Sequence, residues 1–458
     1  MIWPDCHGQS LKKIGSQQLL QDLVIIKKSV EDVHPGMNRF GQQAGFVSRY
    51  DSISHVLSGR DSMMALEFFR AVNPLLASVR CGHVKFLPPV KDFPFYFHPD
   101  HVFPLILRFD EKNRLLIVNT ENDRLKGKYL EKINDMPITD ILHVLRDNMF
   151  VDGNVQSSAD AQIQQYFSAW YADFIQDSDS FIVGLSDDSG KNEEVMLDGI
   201  SVASWQEMDK KIGFLEKNKT LVFKNDSVAY LRIPVFYGKS NKQFLEFLDK
   251  SFEEIERRKP KKLIVDVRGN EGGNDVLGKE LYAYIARKDF KYYDRIELRV
   301  KKRKHITYRK LAYFPRFIGL ATLFIKRKDG KLLWTHHENR GSHKPKKCGF
   351  KGEVVFLMDG LSYSVTSEFL AVARNEQRGQ FVGQESGGTY EGDNSGTFVI
   401  FKLPATGIDV GIPVAGYYSA VKPETESGRG IIPDIEIKPT AADLLNNRDA
   451  VLLEILKK

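Results

Sequence analysis

The sequence predicts an α/β core, with alternating strands and helices around a buried and mostly parallel sheet. Three observations predict it. Leu263-Ile-Val-Asp-Val and Val354-Val-Phe-Leu-Met are nearly continuous apolar runs, as strands covered on both faces must be. Each leads through a Gly-rich or Ser-rich turn into a helix-period pattern, over 277–287 and 365–375. The chain has 458 residues, room for about two to four domains at roughly 100–200 residues each.

The elements follow in order. Residues 10–80 read as helical: Leu19, Leu20, Leu23, Val24, Ile26 and Val30 recur at helical spacing before a break at His34-Pro35-Gly36. A second helix is expected near 61–72, where Met63, Met64, Leu66, Phe68 and Phe69 pack a core, and a turn then enters a strand near Val84. From about 93 to 202 short strands take over, at 105–109, 115–119, 129–133, 180–183 and 194–197, with helices at 138–145 and 160–175. From about 220 the α/β texture begins: strands at 228–233, 263–267, 354–358 and 381–383, helices at 241–259, 277–287 and 365–375.

Composition excludes several classes. Hydrophobic residues are 42% and charged residues 28%, ordinary for a globular chain. The longest nearly apolar run, 317–325, is far short of the ~18–20 residues of a membrane span. Cys6, Cys81 and Cys348 lie far apart, which argues against a disulfide scaffold. The cluster His336, His337, Glu338, His343 and Cys348 lacks helical ligand spacing, so no metal and no other cofactor is expected. The net charge of +6 is local: between 299 and 331 there are 12 Lys/Arg and one acid, +11, leaving −5 elsewhere. A nucleic-acid partner is not expected, whereas 299–331 could meet an anionic membrane surface or simply stay solvated. No basic-then-apolar leader opens the chain, which suits a cytoplasmic protein or a mature form without its leader.

Two strand-to-helix junctions could carry chemistry. In Val265-Asp-Val-Arg-Gly-Asn-Glu-Gly-Gly, glycines after a buried strand free backbone N–H groups for an anion, without Walker or Rossmann spacing. In Met358-Asp-Gly-Leu-Ser-Tyr-Ser-Val-Thr-Ser-Glu, hydroxyl residues open a helix; they could be caps, or one could be a nucleophile beside an oxyanion-binding N–H.

Together these junctions resemble the S41 serine peptidases, the C-terminal processing, tail-specific and tricorn-core proteases. Phe381-Val-Gly-Gln-Glu-Ser-Gly-Gly and Gly428-Arg-Gly-Ile-Ile-Pro-Asp agree with two further family blocks, in order, over 228–440. Asp32-Val-His-Pro-Gly and Cys81-Gly-His resemble members common in Bacteroidetes-type bacteria. The resemblance implies a core of the crotonase/ClpP-like type at 206–458, with a basic excursion at 299–347. It also implies an N-terminal helical region at 1–93 and a PDZ-like peptide-binding domain at 94–205.

By the same resemblance Ser364 is the nucleophile, and the N–H groups of Val365 and Gly273 (Gly272 as the lesser choice) form the oxyanion hole. Tail-specific members place a lysine base where this chain has Gly387-Gly388-Thr389. Tricorn-like members instead use a histidine from an earlier domain, which His83 matches, and a distal glutamate. Glu426 is the preferred acid and Glu424 the alternative. The implied function is a serine endopeptidase cleaving peptides or unfolded proteins, in the periplasm or outside the cell. Its substrates would be held in part by their C-termini, near 103–106. The alternative is an inactive peptide-binding protein on the same fold.

Overall fold

Apolar strands pair where both faces can be covered, and the central sheet is built that way. The computed structural model describes residues 13–89, 95–97, 100–213, 215–315, 322–423 and 426–457. A six-stranded sheet runs in the order Thr220–Asn225, Val228–Arg232, Lys262–Asp266, Glu353–Met358, Gln380–Gly383, Ile435–Glu436. Only the first pair is antiparallel. Val265, Phe356, Met358 and Phe381 are fully buried on it. The helices Asn241–Arg258, Asp275–Ile285 and Val365–Asn375 supply the crossovers and the caps. Each lies within two residues of the range its periodicity predicts.

A second sheet is longer than the sequence suggests. The strands Asn394–Lys402 and Asp409–Ser419 form an antiparallel pair, and Tyr293–Leu298 adds to the latter. The basic excursion is partly ordered on this sheet: Ile325–Lys328 and Lys331–Trp334 form a hairpin, and Lys331–Trp334 pairs with Tyr293–Leu298. Leu323 is 79% exposed at that hairpin. Residues 316–321, most of the apolar run between the basic clusters, lie outside the described residues. Among the described residues no helix is long and apolar enough to cross a membrane.

The N-terminal region holds the helices Ser16–Val33, Gln43–Ser58 and Ala65–Ala77, and a short strand pair, Lys13–Gly15 with Ser62–Met64, that periodicity did not suggest. The β-rich segment is a separate sheet of Ile106–Phe109, Leu115–Asn119, Tyr129–Ile133, Ser180–Ser186 and Asn192–Asp198, packed by Ile138–Asn148 and Gln156–Phe174. Its segment 103–106 is buried, and the Phe103 carbonyl already accepts the Ser168 hydroxyl at 2.7 Å. The expected carboxylate-capturing loop is therefore closed. A cavity of about 1180 Å³ opens instead between this sheet and the core, lined among others by Arg108, Gln164, Lys217, Arg232, Gln384 and Glu385.

Candidate active site

Two turns meet at the C-terminal ends of adjacent parallel strands, Lys262–Asp266 and Glu353–Met358. Asp359 ties them, accepting the N–H of Gly269 at 2.9 Å and of Leu361 at 3.0 Å. The buried Asn270 shapes the glycine turn by accepting the Gly272 N–H at 2.9 Å and donating to the Ile233 carbonyl at 2.9 Å. Gly272 must lack a side chain, because a Cβ there would sit 2.8 Å from Ser364 Cβ and 3.1 Å from Val365 N.

The hydroxyls of the second turn divide into two kinds. Ser362 donates to the Val267 carbonyl at 2.9 Å and Ser367 to the Ser362 carbonyl at 2.7 Å, so both are spent on the backbone. Ser364 is the N-cap residue of Val365–Asn375, yet its side chain makes no capping bond. Its Oγ instead lies 3.1 Å from Nε2 of His83, 281 positions earlier in the chain. Its backbone is at φ 57°, ψ −128°, a region that residues other than glycine rarely occupy. Capping is thus not what this hydroxyl does.

His83 reaches the core because the strand Lys85–Leu87 pairs antiparallel with Asp409–Ser419, in register Lys85 with Gly411. Its side chain is 14% exposed. Burial lowers its pKa to about 4, with Asp393 opposing and Lys85 adding, so the imidazole is neutral at neutral pH. Its Nδ1 faces the Tyr363 hydroxyl at 2.8 Å.

The acid beside the imidazole is Asp393. Its side chain is 3% exposed, and its Oδ2 lies 3.9 Å from His83 Nε2 with no hydrogen-bond partner among the described residues. Glu426, the acid preferred from the sequence, is not brought to His83. Its carboxylate is 73% exposed and pairs with Arg429 at 3.0 Å, three residues on. Glu424 lies outside the described residues. Asp393 carries no motif; its one signal is a place in the loop after Gly387-Gly388-Thr389.

The proposed oxyanion donors sit at backbone positions that leave them open. Phe236 N–H donates to the Gly272 carbonyl and Asn274 N–H to the Phe236 carbonyl, both at 2.9 Å. That pattern turns the Gly273 amide away from Phe236. Val365 opens its helix, where an N–H has no intrahelical acceptor. One group of three metal-ligand types clusters among the described residues: Cys81, His83 and Asp152, within 4.8 Å of one another. Burial holds the Cys81 thiol well above its ordinary pKa, and its Sγ bonds the Asn394 carbonyl, which makes it a poor thiolate ligand.

Structures of CPAF share this fold. Mature CPAF complexed with lactacystin superposes with a TM-score of 0.67 at 13% identity, over 97% of this chain and 98% of that one. A CPAF mutant gives 0.69 at 13% identity, over 97% of each chain. No curated protein sequence matches the chain. Residues 227–437 match the model of peptidase family S41, the stretch that carries both turns, Ser364 and Asp393. Residues 227–437 thus carry a peptidase family S41 segment on the fold seen in CPAF, and together these findings support a serine-type peptidase.

Proposed function

We propose that the protein is an endopeptidase acting on peptides or unfolded protein, with Ser364 as nucleophile and His83 as base. The observation that carries this reading is the 3.1 Å contact between Ser364 Oγ and the neutral Nε2 of His83, made by a hydroxyl that caps nothing. In the first step Oγ would attack the scissile carbonyl carbon while its proton passes to Nε2. The N–H groups of Gly273 and Val365 would hold the oxyanion, aided by the helix dipole at Val365. The imidazolium so formed would be paired by Asp393 across 3.9 Å. It would then protonate the leaving amine, and water would release the acyl group by the reverse roles.

The same reading takes the cavity between the β-rich sheet and the core as the path for an extended peptide; Gly269 and Leu361, near the Ser364 turn, lie on its wall. Recognition of a free C-terminus belongs there rather than at the closed segment 103–106. The basic hairpin, with Leu323 exposed, is proposed to rest on an anionic membrane surface.

The test is turnover of a peptide library and an unfolded protein by wild type, Ser364→Ala and His83→Ala. Both variants should lose cleavage and keep peptide binding, because the two residues act as a unit. Cleavage surviving in purified Ser364→Ala would refute the assignment. Binding without cleavage by the wild type would favour the inactive reading.

A further inference from the structure

A histidine base needs its second nitrogen held, because the proton must sit on the nitrogen that does not face the serine. Among the described residues no carboxylate is hydrogen-bonded to Nδ1. The group there is the hydroxyl of Tyr363, at 2.8 Å, on a ring that also stacks on the imidazole at 4.9 Å between centroids. Behind Tyr363 stands Asp152, which is 1% exposed. Its Oδ1 accepts the Gly82 N–H at 2.9 Å, while its Oδ2 is buried with no hydrogen-bond partner among the described residues, on the side where the Tyr363 hydroxyl lowers its pKa.

The surroundings are shaped for this arrangement. A Cβ on Gly82 would lie 2.4 Å from the Tyr363 hydroxyl, so glycine is what admits it. The Asp152 loop hangs between the two halves of the molecule: Gly153 N–H donates to the Arg80 carbonyl at 3.1 Å and Asn154 N–H to the Gly428 carbonyl at 2.7 Å. Tyr363 N–H is fixed on the Asn270 carbonyl at 3.0 Å.

We propose that Tyr363 and Asp152 are positioning residues that set the tautomer of His83, taking the place a carboxylate holds in other serine triads. The proposal rests on the reading of Ser364 and His83 given above. An ionised Asp152 can only accept, so in this relay Tyr363 would turn its O–H to the unpartnered Oδ2 and offer its oxygen lone pair to His83. The imidazole proton is then on Nδ1, and Nε2 is bare towards Ser364. A protonated Asp152 donates to Tyr363, whose own O–H turns to Nδ1. The proton then belongs on Nε2, and the Ser364 proton has no acceptor. The relay therefore works in one direction only when Asp152 is charged.

Burial is the largest cause that raises the Asp152 carboxyl, to about 7, with Asp393 adding; Gly82 N–H, Tyr363 and Arg39 oppose it. Cys81 packs against the same groups as a neutral thiol, and Asp393 and Lys85 face His83. Activity should thus rise with pH through about 7, although the imidazole itself stays neutral down to about 4.

The experiment compares pH profiles of kcat and kcat/KM for wild type, Tyr363→Phe and Asp152→Asn. It also reads the His83 tautomer by 15N NMR of histidine-labelled protein carrying Ser364→Ala. In Asp152→Asn the Gly82 N–H keeps the amide oxygen on its side and turns the NH2 to Tyr363. This fixes the unproductive tautomer, costing kcat up to about 10⁴-fold at every pH. Tyr363→Phe imposes no wrong tautomer, so its loss should be smaller and its rise near pH 7 should vanish. At pH 8 the NMR should find the proton on Nδ1, and in Asp152→Asn on Nε2. Wild-type kcat in Asp152→Asn at pH 8, or a proton on Nε2 at pH 8 without that substitution, would overturn the proposal. A wild type that cleaves nothing would sink the peptidase reading, while the NMR arm would still decide the relay. Should Tyr363→Phe misfold, the isosteric Asp152→Asn carries the test.

Discussion

Replacing Ser364 by glycine should inactivate the protein yet leave it more stable than the alanine variant. The residue sits at φ 57°, ψ −128°, where a Cβ is crowded. Such a conformation costs about 1–3 kcal/mol outside glycine. Glycine recovers that strain and gives back about 0.4–1 kcal/mol through the greater freedom of the unfolded chain. Relative to alanine, which loses the same hydrogen bond to His83 and keeps the strain, the net gain is about 0–2.6 kcal/mol. At about 2–4 °C per kcal/mol for a domain of 150–250 residues, the glycine variant should melt up to about 10 °C above the alanine variant. Were Ser364 an ordinary cap, glycine would instead cost a few tenths of a kcal/mol and alanine about 0.5–2 kcal/mol. Alanine keeps the strained Cβ and loses no capping bond, so Ser364→Ala should melt within about 1 kcal/mol of wild type, the worth of one hydrogen bond to His83. The assay is denaturant and thermal unfolding of the three proteins side by side, with cleavage measured on each. A glycine variant less stable than the alanine variant would refute the claim that the turn stores strain at Ser364.

Other consequences follow from the same geometry. Gly273→Ala should be poorly folded and inactive, since its Cβ would lie 2.4 Å from the Phe236 carbonyl oxygen at φ 143°; unfolding and turnover near wild type would contradict this. Arg268→Met should cost about 1.5–3 kcal/mol, because the fully buried Asp266 loses its bidentate partner, keeping Tyr230 and Arg232, and Asp449 is released at the start of the helix Ala450–Leu456. Adding Asp266→Asn should restore part of the loss, and a single variant within 1 kcal/mol by denaturant titration would argue against a buried pair. Binding to anionic vesicles through the hairpin Ile325–Lys328 and Lys331–Trp334 should fall steeply between low and physiological salt. Equal binding to neutral vesicles, or none to either, would leave the segment a solvated face.

Parts of this architecture were legible because their physics is local. The helix Val365–Asn375 matches its predicted range, since an apolar face, a Ser-rich start and a buried strand before it all agree. The strand Asp409–Ser419 was not legible: Gly411, Pro413 and Gly416 read as turn residues, although the strand is central and pairs on both sides. The pair Ser364 and His83 became visible only through family motifs, as no periodicity links positions 281 apart. The proposed acid could not be read at all. Glu426 and Asp393 are both loop carboxylates, and what separates them is Arg429, which draws Glu426 out to solvent, and the burial of Asp393 against the imidazole. Tyr363 and Asp152 carry no motif; their role depends on a hydroxyl meeting a ring nitrogen across a glycine.

The proposed chemistry is divided between two parts of the chain. Ser364, Gly273 and Asp393 lie within the family-matched stretch, whereas His83 and Asp152 come from before it. A nucleophile with no base is inert at neutral pH, so competence depends on how the earlier part docks. The contacts that dock it are specific. Arg39 donates to the carbonyls of Asp393 at 2.7 Å and of Glu391 and Tyr417 at 2.9 Å, gripping the loop that carries the acid. Lys85–Leu87 pairs with the start of the central strand Asp409–Ser419, two residues after His83. Asn154 closes on Gly428 two residues after Asp152. Each catalytic or positioning group from the N-terminal side is thus tied to the core by backbone hydrogen bonds within a few residues. An error of about 1 Å in such placement can cost about 10²-fold in rate. Loosening Arg39 should therefore reduce turnover more than it reduces stability. Arg39→Met, which keeps the packing and removes the three donated bonds, separates the two effects. A variant whose melting point falls while its kcat holds would show that the clamp serves the fold and not the site.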